Sequence, residues 1–294
     1  MIRSMTGFGQ GTAEAEGVTL RAEIASLNHR YLDIGLKISP PLNVFEVEIR
    51  KLLQSRFERG RLNVLLASEG SITEISHVEL NQDLARQYVD SARSFAEGAD
   101  LKDDLGAMSI LRLSSLWNQR TLPPNELTRL WDLTKQALDA AIEELLEMRE
   151  AEGANIWADL SGRLRQIEAV AEEIAVRAPA VLEEYRQKLR ERIDSNMPPG
   201  VELDDQRLLT EVAVFADRAD ISEELVRIRS HIEQFHALAG QGSNVGRRLD
   251  FLLQEMFREV TTVGSKARDA PIAHAVVEAK GLLEKMREQV QNVE

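Results

Sequence analysis

The chain has 294 residues, a mass of 33.0 kDa and a formal net charge of −13. Apolar residues make up 43%, enough to bury a core, and the length suits about two domains. The absence of cysteine excludes disulfides, thiolate zinc sites, iron–sulfur clusters and a cysteine nucleophile.

No apolar run approaches the ~18 residues of a membrane span, and the opening MIRSMTGFGQ lacks the apolar heart of a signal peptide. A soluble, cytoplasmic protein is expected. The overall acidity argues against a generic nucleic-acid binder. The charge is uneven, however: residues 1–70 sum to +1, residues 71–200 to −9 and residues 201–294 to −5. A polyanion site would therefore draw on the ends of the chain.

The first hundred residues read as strands around a helix. Residues 18–26 (VTLRAEIAS) and 31–38 (YLDIGLKI) alternate apolar and polar at period two, which predicts two strands with one buried face each, joined by a tight connection at Asn28-His29. Pro40-Pro41 ends the second. Val44, Val47, Ile49, Leu52, Leu53 and Phe57 follow at helical spacing, with Gly60 expected as the C-cap. Residues 62–67 predict a strand, residues 75–80 another, and Asn81 caps a helix to about Glu97. Gly9 and Gly11 suit tight packing in an edge strand, since no helix follows them to make a phosphate loop.

Residues 98–106 read as a linker, and the remainder is helical. Asn125 is expected as the N-cap of a charged helix reaching about Val176, with a break at Pro179 and a further helix to Ile193. The stretch 194–205, with Pro198-Pro199-Gly200, interrupts the pattern. Helices follow over residues 206–216, 222–238, 247–262 and 271–290, with a flexible connection at 240–246. The fold class is thus α+β: a strand-bearing N-terminal domain (1–100), a charged helical arm (101–200) and a C-terminal helical domain (201–294). An acidic helical arm needs a partner surface to bury its apolar stripe, so an oligomer is expected.

Candidate chemistry concentrates near the C-terminus. Glu224, Arg227 and His231 share one helix face, and Glu255 and Glu259 share another at i, i+4. With Asp250, and Glu211 in an otherwise apolar run, they make a carboxylate–histidine set of the kind that holds Mg²⁺ or Mn²⁺ beside phosphate. Arg227, Arg247, Arg248, Arg258 and Lys266 are candidate phosphate ligands. The same spacings equally describe surface ion pairs, and no short metal signature such as HExxH is present. In the N-terminal segment, His29-Arg30-Tyr31 offers a proton carrier beside a cation, or a capped turn. His77, His236 and His274 are isolated. Trp117, Trp131 and Trp157 stand among leucines as core or interface anchors.

The blocks MIRSMTGFG, EIASLNHRYLDIGLKI (23–38), IRKLLQSRFERGRLNV (49–64), DISEELVRIRSHIEQF (220–235), GRRLDFLLQEMFREVTTVGSK (246–266) and MREQVQNVE (286–294) resemble, in order and separation, those of the YicC-like endoribonuclease family. Phe257 and Thr261 depart from the signature, where that family usually carries Asn. The resemblance implies a cytoplasmic, metal-dependent endoribonuclease that assembles as a homohexamer and encloses structured RNA. The residue roles do not follow from the resemblance; the chemistry of the side chains leads to the expectation that Glu211, Glu224, His231, Asp250, Glu255 and Glu259 hold Mn²⁺ or Mg²⁺. On the same ground His29, Glu255 and Glu259 are expected to act on proton or water, and Arg30, Arg227, Arg247, Arg248, Arg258 and Lys266 to contact RNA. A non-catalytic RNA scaffold, a metal-free ribonuclease using His29, and a purely structural helical oligomer are the competing readings.

Overall fold

A computed structural model describes residues 2–15, 17–40, 42–69, 78–119, 123–197, 204–240 and 245–294. It shows the expected α+β class: a four-stranded sheet followed by a long, mostly helical region. The chain divides into two compact units, one formed by Phe8–Leu146 and the other by Met1–Gly7 with Glu147–Glu294.

In the strand-bearing unit, alternation is what builds the sheet. β1 (Gly7–Ala15), β2 (Val18–Leu27), β3 (Leu32–Ile38) and β4 (Gly60–Glu69) lie in the order β1-β2-β4-β3. β4 runs antiparallel to β2, pairing Val64 with Ile24, and parallel to β3, pairing Leu62 with Ile34. The Asn28-His29 connection therefore spans β4 rather than closing a hairpin. Leu20, Ala22, Ile24, Leu62, Val64 and Leu66 bury one face beneath α1 (Glu46–Arg56) and the N-terminal part of α4 (Pro124–Asp194). Phe45 and Trp131 pack there with ring centroids 5.4 Å apart.

Gly9 and Gly11 are the close-packing glycines expected of the edge strand. A Cβ at Gly9 would lie well under 3.0 Å from the Ala141 carbonyl oxygen, and one at Gly11 equally close to that of Ala137. Gly60 is not the C-cap of α1; Phe57 is, and Gly60 opens β4 at φ 106°, a conformation that needs glycine. Asn81 caps α2 (Gln82–Gly98) as expected, its Oδ1 accepting from the Leu84 N–H at 3.0 Å. β5 (Val78–Leu80) is the described end of the strand expected over 75–80. It pairs antiparallel with β6 (Trp117–Gln119), a strand too short to leave a periodic trace. A short α3 (Ala107–Leu111) precedes β6. Pro41, residues 75–77 with His77, Pro198-Pro199-Gly200 and residues 241–244 lie outside the described residues.

Two expectations for the arm are corrected. α4 starts at Pro124, so Asn125 is already inside it; proline suits that first position because the N–H it lacks would be unpaired anyway. The helix also runs on through Pro179 to Asp194. Proline removes one rung, but Ile174 and Val181 on either side are both buried in one apolar cluster, which keeps the flanking turns wound.

The helical unit joins Glu147–Asp194 of α4 to α5 (Asp205–Ala219), α6 (Ser222–Ala239), α7 (Val245–Lys266) and α8 (Ala270–Val290). Its core gathers Leu160, Leu164, Ile232, Phe235, Leu249, Met256, Val263 and Met286. Trp157 stacks on Phe235 at 6.4 Å. The N-terminal segment belongs to this unit. Ser4 bridges Val293, Met5 N–H donates to the Asn292 carbonyl (2.8 Å), and Arg3 and Glu294 exchange backbone hydrogen bonds of 3.0 and 2.8 Å. Beneath them lies Arg149, 3% exposed, its Nε on the Ser4 carbonyl at 2.5 Å and its Nη2 on the Glu294 carboxylate. Gly153 and Gly246 leave room for the two ends: a Cβ would collide with the Ile2 carbonyl oxygen at the first and with that of Val293 at the second. No helix among the described residues is long and apolar enough to cross a membrane.

Candidate functional site

α6 and α7 pack against each other, and their charged side chains fix the register. Glu224, at the start of α6, pairs with Lys266 Nζ at the end of α7 at 2.7 Å. Arg227 Nη1 reaches Glu259 Oε1 at 3.4 Å. The helices are therefore antiparallel. His231 follows Arg227 by one turn on α6, and Glu255 precedes Glu259 by one turn on α7, so helix spacing carries each onto the stripe of its helix that holds these pairs.

This seam gathers most of the predicted cluster, but as neutralised pairs. Glu224 and Glu259 are only 6% exposed, and an ionised carboxylate at that depth needs a partner. Each has one on the facing helix. The Glu224 carboxylate lifts the Lys266 ammonium above its ordinary range, and Lys266 also donates to the Asp220 carbonyl at 3.0 Å. Arg227 is lifted too, chiefly by the charge of Glu223, with which it pairs, and then by the hydrogen bond to Glu259. At the α5–α6 corner the Ser222 backbone N–H holds the Asp220 carboxyl below its usual range.

Between and beyond these pairs stand two groups without partners. His231 is half-buried, and its Nδ1 is sealed from solvent with no hydrogen-bond partner among the described residues. Glu255 is half-buried with no ion pair or hydrogen bond among the described residues, and no ion pair joins it to His231. The Oε2 atom of Glu224 is likewise buried and unpartnered. Arg258 is exposed on the flank of the same stripe, three residues from Glu255.

Other predicted members lie elsewhere. Asp250 is on the side of α7 that meets α8, bound to Arg287 at 3.1 Å and accepting from Gln254 at 2.7 Å. Glu211 is exposed on α5, in a cleft it shares with Tyr185, Arg218, Arg268 and Lys266, the partner of Glu224 at the end of the seam. Arg247 and Arg248 are exposed in the first turn of α7. His29 and Arg30 are exposed in the strand-bearing unit; His29 Nδ1 lies 2.9 Å from the Tyr31 carbonyl oxygen, and Arg30 sits 5.2 Å from the Tyr31 ring centroid. Among the described residues no three His, Asp or Glu side chains stand together as a cation site.

The sequence matches the description "Endoribonuclease YicC-like, N-terminal region" over residues 2–158 and "Endoribonuclease YicC-like, C-terminal" over residues 174–294. The chain belongs to the YicC-like endoribonuclease family. It is 34% identical over 294 residues to "Probable endoribonuclease YicC" of Clostridioides difficile (strain 630), and 30% identical over the same length to the protein of that name from Haemophilus influenzae. Both alignments cover 100% of each chain. The first and last YicC-like blocks, far apart in sequence, meet in the Arg3–Glu294 ladder over Arg149. The two departures within the signature lie off the seam. Phe257 faces α8, with Lys280 Nζ 5.2 Å from its ring centroid, and Thr261 is exposed and donates to the Phe257 carbonyl at 2.7 Å.

Proposed function

We propose that this chain is an endoribonuclease that cuts RNA phosphodiester bonds at the α6–α7 seam. The observation that carries this reading is the buried Nδ1 of His231, without a hydrogen-bond partner among the described residues, on the helix whose Glu224 and Arg227 pair across to α7, where the two buried acids are each held by a cation. A buried polar atom left unpaired costs roughly 1–3 kcal/mol, a cost of the kind that side chains held for function carry. The full-length match to two proteins named probable endoribonucleases supports the reaction class.

In this reading Arg258, with Arg247 and Arg248 further along α7, attracts the phosphate backbone into the stripe. His231 moves the proton between the attacking or leaving oxygen and solvent, a role worth about 10²–10⁴ in rate. Arg227 and Lys266 hold Glu259 and Glu224 in place, and the exposed Arg258 adds positive potential where charge develops on the phosphoryl group.

The six residues expected as metal ligands do not fit one cation, because Glu224, Glu259 and Asp250 are each tied to a cationic side chain and Glu211 is on α5. A reduced version fits. Glu255, which has no ion pair among the described residues, suits Mg²⁺ or Mn²⁺ of the kind that takes one carboxylate and fills its remaining positions with water and substrate phosphate. Held there, such an ion would supply Lewis-acid chemistry to a phosphoryl oxygen and to a bound water. The chain acts in the cytoplasm as a homo-oligomer, a hexamer by family resemblance, enclosing structured RNA. Its exposed Val176, Val226 and Val277 supply apolar surface for self-association.

The test uses the purified chain, a structured RNA with an unpaired loop, and Mn²⁺ or EDTA. His231→Ala and Glu255→Gln should each lower cleavage about 100-fold or more while leaving the melting transition in place. Undiminished cleavage by both variants would remove the seam as the active site. Cleavage in EDTA that leaves 2′,3′-cyclic phosphate would replace the metal-assisted version with a metal-free one.

A further inference from the structure

Beyond His231 and Glu255 the seam opens into a hollow of about 480 Å³ lined by Gln234, Leu238, Arg247, Arg248, Phe251 and Leu252. We infer that this hollow is a subsite for one unpaired nucleotide, its base stacked on Phe251 and its phosphate held by Arg247 and Arg248. The inference rests on the cleavage reading above for its place along the RNA, but on its own observations for its chemistry.

The first observation is the ring. Phe251 is 60% exposed, while Leu249, Leu252 and Leu253 beside it on α7 are buried. Burying a Phe side chain is worth about 1.5–3 kcal/mol, so a ring left on the rim of a hollow is surface available to a partner. The second is the charge. In a chain of net charge −13, the described residues lining this hollow include two arginines, of which Arg248 is already engaged, and no acid. That disfavours a cationic ligand and favours an anion. An aromatic face flanked by guanidinium groups is what a nucleotide requires: any base stacks on the ring, and the arginines take its phosphate. Gln234 adds an amide at the edge. Its Nε2 donates to Ser230 at 3.2 Å, which leaves its carbonyl oxygen as an acceptor for a base N–H within the hollow. The volume lies in the ordinary range of about 300–1,000 Å³ for small-molecule clefts.

The third observation is position. Phe251 precedes Glu255 by one turn of α7, and Gln234 follows His231 by one turn of α6. The hollow is therefore about 5.4 Å along the seam from His231 and Glu255. A nucleotide seated there is next to the phosphodiester facing His231. A paired base is already stacked within its duplex and cannot lie on the ring, so cutting is directed to bonds beside an unpaired nucleotide.

The experiment measures binding separately from cutting. Full-length His231→Ala protein is titrated into a short, fluorescein-labelled single-stranded RNA. Adding Phe251→Leu should weaken binding about tenfold, Phe251→Tyr should retain it, and a duplex of the same sequence should bind equally with and without Phe251→Leu. Arg247→Ala and Arg248→Ala should each flatten the slope of log affinity against log salt by roughly 0.7. Single-stranded RNA affinity unchanged by Phe251→Leu overturns the inference. So does a change in sedimentation on Phe251→Leu without a change in RNA affinity, which would make this face a contact between protein chains. If binding depends on Phe251 but the wild-type protein cuts no RNA, the cleavage reading falls and the subsite stands. If cutting is lost in His231→Ala while Phe251→Leu binds normally, the subsite falls alone.

Discussion

Arg149→Met isolates the contact that ties the two ends of the chain into the helical unit. Arg149 is 3% exposed; its Nε holds the Ser4 carbonyl at 2.5 Å and its Nη2 pairs with the Glu294 carboxylate, whose side chain is 17% exposed. Methionine fills much of the same volume but leaves the carbonyl and the carboxylate without this donor. Removing one partner of a buried pair costs about 3–5 kcal/mol, and the residual water contact of Glu294 places this site near the low end, at about 3 kcal/mol. The double variant Arg149→Met/Glu294→Gln carries no orphaned charge and should recover more than half of that loss. Asp159→Asn, at an exposed pair with Arg163, is the control and should stay within about 0.5 kcal/mol. Urea unfolding followed by far-ultraviolet circular dichroism reports chiefly on the helices. It should be fitted with separate transitions for the two units, the slope with urea staying constant. A loss below about 1 kcal/mol, or a double variant no better than the single one, would refute the reasoning.

Two glycines should respond in opposite senses to alanine. Gly9→Ala drives a methyl group into the Ala141 carbonyl and should destabilise the strand-bearing unit by about 1–3 kcal/mol, whereas Gly162→Ala meets open space inside α4 and should stabilise by about 0.5–1 kcal/mol in the same urea assay. Asp269 caps α8 through the Ile272 N–H, and Arg177 holds its carboxyl below the usual range. Because folding lowers that value, the contribution is full above the ordinary unfolded value of about 4 and fades as pH falls through the folded one. The stability difference between wild type and Asp269→Asn, read from melts across pH, should therefore shrink in acid; a difference independent of pH would contradict the assignment.

Local periodicity is enough for β2, β3, β4 and the four C-terminal helices, because each buries one face and its spacing records which. It fails at Pro179, where residues on both sides of the proline reach one core, and at β6, whose three residues carry no period. At the site, spacing within one helix is legible: Glu224 and His231 do share a face, as do Glu255 and Glu259. Asp250 lies five residues before Glu255, on the far side of α7, and its bond to Arg287 sets it apart from the seam. The pairing of Glu224 with Lys266 spans 42 residues and depends on the packing of two helices, which no local pattern records. Phe251 escapes sequence reasoning because an aromatic residue within the run DFLLQEMF reads as core, and only the structure shows it on the rim.

The bridge between Ser4 and Val293 also has a temporal side. The strand-bearing unit is contiguous in sequence, so it can close while later residues are still being synthesised. The helical unit takes residues from both sides of it and has no such freedom. Its opening segment must wait for residues 292–294 before Arg149 gains its carboxylate, and contacts of such sequence separation form slowly. A nascent chain that has not yet brought residues 292–294 out of the ribosome would thus carry a finished sheet and an unlatched helical unit, so the two halves of one molecule mature at different moments.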